Sequence, residues 1–306
     1  MRKILAIGFA LATSVLTLPA HAALKVFACE PEWAALTTVL GGSDVDVYAA
    51  STALQDVHHI QPRPSLIARY RQADLVVCTG AELEIGWLPP LVQKGDNPKV
   101  NPGTPGYFEA SHFVTMMEVP ARLDRSEGDV HPFGNPHIQT DPRNIGAVAK
   151  GLAERLAEVD PAHAAAYRQR YQAFIARWDT AIQKWTRAAR PLAGVKVISS
   201  HKGWSYMYRW LGMEEVGTLE PKPGIPPTGA HLEEVLAAQK TDPARMVIYA
   251  GYYDPRPAGW LSSHAGIPAV ELPFSTGGMP GTDDLFGLFD VTISQLLKGL
   301  KQAPSP

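Results

Sequence analysis

The sequence predicts an α/β protein: two doubly wound lobes with parallel sheets, joined by one long rigid α-helix, with a cleft between the lobes. Three observations lead there. Short apolar runs alternate with helical patterns at roughly 20-residue spacing, the mark of βαβ units. That alternation stops near Asp160 and restarts near Leu192. Between the two, one amphipathic stretch runs from Pro161 to Arg190 with no glycine or proline to interrupt it, and Pro191 ends it.

The elements run in order along the chain. Residues 1–22 read as a secretory signal peptide. Arg2 and Lys3 form its basic start, Ile4 to Leu18 its apolar run, and Ala20-His21-Ala22 its small-residue cleavage triplet. The run is too short and wrongly flanked for a membrane span. No cysteine stands at the cleavage site, so a lipid anchor there is not expected. An exported chain with a cleaved leader is expected, and a bacterial periplasm fits it best.

Residues 23–158 form the first lobe. "KVFAC", "DVDVYAA" and "DLVVCTG" read as strands, separated by helices in "EWAALTTVLGG" and "SLIARYRQA". "HFVTMMEV" reads as a further strand, then "DRSEGDVHPFGNPHIQTDP" as a loop and "PRNIGAVAKGLAERLAEVD" as an amphipathic helix. The long helix is expected over 159–191, with Asp160-Pro161 as its N-cap and first-turn proline. Tyr167, Tyr171, Phe174, Trp178, Ile182 and Trp185 recur at helical spacing along one stripe. At ~1.5 Å per residue it is about 45 Å long, enough to run along both lobes. Residues 192–306 form the second lobe. "GVKVISS", "ARMVIYAG" and "AVELPF" are its strands, and "WSYMYRWLG", "LEEVLAAQK" and "DDLFGLFDVTISQLLKGL" its helices.

Composition narrows the function. The 306 residues are 45% apolar and 19% charged, a soluble globular balance. A formal charge of −2 gives no footprint for nucleic acid or an anionic membrane. The two cysteines, Cys29 and Cys78, end two β-rich runs. In an oxidising compartment they form either a disulfide or two buried thiols. They lack the paired spacing of a thiolate metal site.

Open parallel sheets bind ligands beyond the carboxyl ends of their strands, so histidines in those loops matter most. His58 and His59 come after "DVDVYAA" and precede Pro62 and Pro64, which stiffen the segment. Taken alone, this pair reads as solvated polarity as readily as a metal site or a catalytic base. His131 and His137 share the Gly/Pro-rich loop "VHPFGNPH", and His201 directly succeeds "GVKVISS". His112, His163, His231 and His264 suit capping or surface roles better.

Together these residues resemble the zinc/manganese class of solute-binding proteins that serve metal ABC transporters, the ZnuA-like family. The resemblance rests on three motifs in order, spread over the mature chain. The first is His58-His59-Ile60-Gln61-Pro62-Arg63-Pro64-Ser65 with Ala73-Asp74-Leu75-Val76 after its helix. The second is Pro136-His137 with Asp141-Pro142 behind it, and the third is His201 with Trp204, Tyr206, Trp210 and Leu211-Gly212. It implies His58, His137 and His201 as metal ligands, with His59 as a neighbour. It implies no enzymatic activity, a monomer, and delivery of the metal to an ABC permease in the inner membrane. Zinc is the first expectation, since imidazole suits borderline metals, and Mn2+ the second. The chain departs from the family in three places. The fourth ligand is not evident, with Glu30, Glu271, Asp283 or water as candidates. The loop before the second motif is short, and Lys202 stands where an acidic residue is usual. The rival readings are a zinc-dependent hydrolase, with Glu30 or Asp283 as base, and a binder of organic solutes using the tryptophans and tyrosines.

Overall fold

The computed structural model describes residues 22–122, 126 and 128–304. The proposed leader therefore lies almost wholly outside the described residues. Two parallel four-stranded sheets organise them. The first sheet contains β1 (Leu24–Ala28), β2 (Val45–Ala49), β3 (Leu75–Cys78) and β4 (Tyr107–Glu109), in the order β2-β1-β3-β4. The second contains β5 (Lys196–Ser199), β6 (Glu214–Thr218), β7 (Met246–Ala250) and β8 (Ala269–Leu272), in the order β6-β5-β7-β8. The two orders are the same. In each lobe the first strand is central and the chain reverses direction across the sheet beside it, which opens a crevice at the carboxyl ends.

Helices α1 (Pro31–Gly41), α2 (Pro64–Gln72) and α3 (Leu88–Gly95) belong to the first lobe, and α4 (Pro142–Val159) leads out of it. Between the lobes runs α5 (Ala164–Ala188). The second lobe carries α6 (Ser205–Leu211), α7 (Gly229–Ala238), α8 (Pro255–Ala265) and α9 (Leu285–Gln302). The aromatic stripe of α5 is buried: Tyr167, Phe174, Trp178 and Trp185 face inward. Trp178 meets Trp185, Phe286 and Phe289 edge-on at centroid distances of 5.2, 4.9 and 5.6 Å. Its indole N–H donates to the Pro142 carbonyl at 2.7 Å, so burial leaves no polar group stranded. One apolar core runs from Val26 and Val77 of the first sheet through Trp178 to Ile248 and Leu272 of the second. The lobes are thus welded along α5 rather than hinged on a linker. Separate apolar layers cover the outer face of each sheet.

Several local expectations are corrected. The apolar run His112–Val119 is not a strand. The edge strand β4 precedes it, a 3-10 turn covers Ala110–Phe113, and Val119 is 58% exposed. Asp160-Pro161 opens a separate 3-10 turn, Pro161–His163, and α5 starts after it. His264, in the exposed last turn of α8, stacks on Trp260 and keeps the surface role expected of it. Strand β6 and helices α3 and α8 have no counterpart among the elements expected from the sequence.

Cys29 and Cys78 lie just past or at the ends of the adjacent strands β1 and β3 and form a disulfide, with Cα atoms 4.8 Å apart. Closing a loop of this size stabilises the fold by roughly 4 kcal/mol in the chain-entropy picture. Among the described residues no helix is long and apolar enough to cross a membrane.

Candidate metal centre

Three loops at the carboxyl ends of the sheets converge in the cleft. The first comes after β2. Asp56 caps a 3-10 turn over Val57–His59, accepting the His58 backbone N–H at 3.0 Å. The same carboxylate oxygen lies 2.8 Å from His58 Nδ1. The Trp87 indole N–H donates to the Val57 carbonyl at 2.8 Å and pins the turn to the lobe. Pro64 then starts α2 at a position where its missing N–H costs nothing. One acidic side chain therefore both shapes the turn and orients the ring.

The second loop precedes α4. Asn135 Oδ1 accepts the His137 N–H at 3.0 Å, and Thr140 Oγ1 donates to the His137 carbonyl at 2.9 Å. Asn135 also crosses the cleft, donating to the Lys202 carbonyl at 2.8 Å, while Tyr206 of α6 donates to the Asn135 carbonyl at 2.7 Å. His137 is 1% exposed. The third loop comes after β5. His201 Nδ1 lies 2.7 Å from Glu220 Oε2, with both side chains buried. Glu220 enters from beyond the end of β6 and also accepts the Gly224 N–H at 3.1 Å.

His58, His137 and His201 each offer a ring nitrogen, and these nitrogens lie within 4.8 Å of one another. The ring centroids are 5.3 Å apart for His58 and His137, 5.7 Å for His58 and His201, and 5.1 Å for His137 and His201. A tetrahedral zinc centre with Zn–N of ~2.0–2.1 Å sets imidazole centroids about 5.2 Å apart. The trio is therefore already spaced for one. Two of its rings present Nδ1 to a carboxylate, Asp56 or Glu220, which fixes the tautomer with Nε2 free for a cation. His58 Nε2 is buried without a protein partner. His137 Nε2 and His201 Nε2 stand 2.9 Å apart, a hydrogen bond between the two rings. With His201 Nδ1–H donating to Glu220, the proton of that bond belongs to His137.

The surroundings favour a neutral ring at His137 and at His131. Burial, then the neighbouring His201, His58 and His131, hold His137 well below the usual histidine range. Burial, then His58, lowers His131 to about 4. Asp56 is half-buried, which alone would raise its carboxyl, but its bond and charge interaction with His58 outweigh that and lower it to about 2. Its negative charge beside the site is secure across the working range.

The remaining candidates sit elsewhere. Glu30, Glu271 and Asp283 are not in the group of converging ligand atoms. Glu30 is buried and accepts from Thr79, Asp283 is exposed, and Glu271 faces the Tyr249 hydroxyl at 3.4 Å. No carboxylate of this set stands ready as the base a hydrolase would need. His59 turns outward, 64% exposed, with Asp129 at 3.7 Å. Lys202 does not bring a bare cation to the site, because Glu118 pairs with it at 3.0 Å. Phe274, just past β8, packs edge-on against the His137 ring at 5.3 Å. Trp33, Trp87, Trp178 and Trp185 are fully buried in the cores, so they line no solute pocket. Sequence reasoning missed the orienting carboxylates Asp56 and Glu220. For Asp56 the available signal is its capping position two residues before His58. Glu220 lies beyond a strand that gives none.

The family model described as "ZnuA: Zinc-uptake complex component A periplasmic" matches residues 26–299. The iron ABC transporter substrate-binding lipoprotein MtsA of Streptococcus pyogenes serotype M1 is 23% identical over 291 residues, covering 90% of this chain and 89% of that protein. A crystal structure of ZnuA superposes with a TM-score of 0.74 at 19% identity, covering 91% of this chain and 99% of the other. A cadmium-bound periplasmic metal binding protein from Candidatus Liberibacter asiaticus gives 0.74 at 14% identity, over 90% and 99%. The structural matches carry the fold, and the family match spans nearly the whole described chain. The chain belongs to the zinc-uptake component A family, the substrate-binding proteins of metal ABC transporters.

Proposed function

We propose that this protein captures a divalent transition metal, zinc first, on His58, His137 and His201 and hands it to an ABC permease of the inner membrane. One observation carries the reading: three buried or half-buried imidazoles from both lobes converge within 4.8 Å. The all-nitrogen set favours zinc over manganese, which prefers hard oxygen ligands. Mn2+ is the second choice. The basic, apolar and small-residue pattern of residues 1–22 supports export to the periplasm with a cleaved leader.

The chain's own residues do the work of capture. Asp56 and Glu220 hold two rings in the ligating tautomer. Filling the site would replace the His137–His201 hydrogen bond by two metal bonds, with the His137 proton moved from Nε2 to the unpartnered Nδ1 so that the ring stays neutral. Ligand nitrogens of a tetrahedral zinc stand about 3.3 Å apart, so these two rings part by only a few tenths of an ångström. Acid reverses the process, because protonated imidazole cannot ligate. Competition titration with a chromogenic chelator tests the assignment on His58→Ala, His137→Ala and His201→Ala. Each variant is expected to lose most of its zinc affinity. Wild-type affinity in all three would remove the assignment.

A further inference from the structure

We propose that His131 Nε2 is the fourth nitrogen of the metal centre, making it an all-histidine site. This rests on the three-histidine reading above and extends it. His131 is half-buried, and its Nε2 is shut off from solvent with no hydrogen-bond partner. A buried acceptor without a partner is costly unless something fills the gap. Its ring faces His58 at a centroid distance of 5.4 Å, close to the tetrahedral spacing that relates the other three. The His58 Nε2 opposite is also unpartnered and buried. The two orphaned nitrogens thus share one region.

The tautomer agrees. The Glu82 backbone hydrogen-bonds the His131 ring. With Nε2 unpartnered, that bond falls to Nδ1, which donates to the carbonyl and leaves the Nε2 lone pair free. A ligating histidine characteristically donates its other N–H to a carbonyl or a carboxylate. Glu82 presents its carbonyl from an unusual turn, in which Gly80, Ala81 and Glu82 all have left-handed φ values of 77°, 55° and 64°. Non-glycine residues take this conformation only where the surroundings enforce it.

The loop is also placed across the cleft. The Asp129 N–H donates to the Pro223 carbonyl at 2.9 Å. A Cβ on Gly128 would overlap that carbonyl, and a Cβ on Gly224 would overlap the Asp129 carboxylate. Gly224 in turn donates to Glu220, the partner of His201. His131 is therefore carried by the first lobe and braced by the second. It lines both small cavities that flank the trio, one beside His137 and His201 and one beside His58 and His59. It is not in the group within 4.8 Å, so a metal ion must draw its ring inward to complete the shell.

Zinc K-edge absorption on the full chain loaded with one equivalent of zinc tests this directly, because imidazole scattering counts the rings. Four imidazoles are expected for wild type, and three plus a light oxygen for His131→Ala. The zinc affinity of His131→Ala is expected to fall tenfold to a hundredfold, on the order of what a lost supporting partner costs. Three imidazoles in wild type would overturn the proposal and leave the three-histidine reading intact. A wild-type chain that binds no zinc would overturn that reading itself. The wild-type spectrum decides even if the variant folds poorly.

Discussion

The two sheets have the same strand order and opposite chemistry in the crevice beside their first strands. Between β5 and β7 the second lobe places His201, backed by Glu220. Between β1 and β3 the first lobe places a sealed knot of acids. Thr79 donates its N–H to Glu84 at 2.8 Å and to Glu30 at 3.2 Å, and the Trp33 indole donates to Thr79 Oγ1 at 2.7 Å. Burial, then the charge of Glu84, pushes Glu30 well above the carboxylate range, and burial pushes Glu84 to about 7. The first lobe instead draws its candidate ligand histidines, His58 and His137, from the loops after its outer strands β2 and β4. Topology supplies the crevice, and the residues at its rim decide what it holds.

The largest way to break this comparison is to remove the second lobe's single contribution. His201→Ala is expected to weaken zinc binding roughly a thousandfold and abolish the zinc-induced rise in melting temperature. Chelator competition and calorimetry read both, and a retained thermal shift would show that the first lobe binds unaided. Next comes the shared core. Trp178→Ala is expected to cost about 3–5 kcal/mol and to lower the unfolding of both lobes together. Two separated transitions in a urea titration would mean that the lobes stand independently.

The orienting carboxylates sharpen the contrast further. Glu220→Gln and Asp56→Asn should each weaken zinc roughly 10–100-fold, with the buried Glu220 the more costly. Equal affinity in all forms would show that the rings need no orienting partner. The smallest effect concerns pH. Glu84 titrates at about 7 when folded and at ~4.3 when unfolded. Between these values the unfolded chain releases its proton first, so this group makes the metal-free protein less stable as pH rises. His137 and His131 act oppositely. Their lowered values mean the unfolded chain gains protons first below ~6.5, so their contribution is lost as pH falls. Glu84→Gln should flatten the alkaline side of a melting-temperature profile between pH ~5 and ~8 and leave the acid side in place. An unchanged profile would mean Glu84 is ionised in the knot.

Much of this architecture is legible in the sequence. The buried strands β1, β3, β5 and β7 are apolar runs, and α5 declares itself through its aromatic stripe. Strand β6 does not, because "EEVGT" is an edge strand with no apolar run: Glu214 faces solvent while Glu215 turns inward. Helices α3 and α8 open with Leu88-Pro89-Pro90 and Pro255-Arg256-Pro257, and prolines in a first turn look like a loop. The three candidate ligand histidines stand out because each lies in a loop past the end of an apolar run. For His137 that run is the wrong one, since His112–Val119 is irregular and the true strand is β4 before it. His131 and Glu220 meet the others only through folds of the chain that no local pattern announces.

The core shared by both lobes also bears on how the chain comes to be folded at all. A polypeptide emerges from its N-terminus, and α9 comes last. It packs against α5 and α1, and its Phe286 and Phe289 cover Trp178. Until residues 285–302 have arrived, α5 rests on α1 and α4, and the side of Trp178 that meets Phe286 and Phe289 lies uncovered. The core begun in the first lobe is therefore completed by a helix that follows all four strands of the second sheet. The two lobes thus share one core and also the piece that closes it, the eighteen-residue α9.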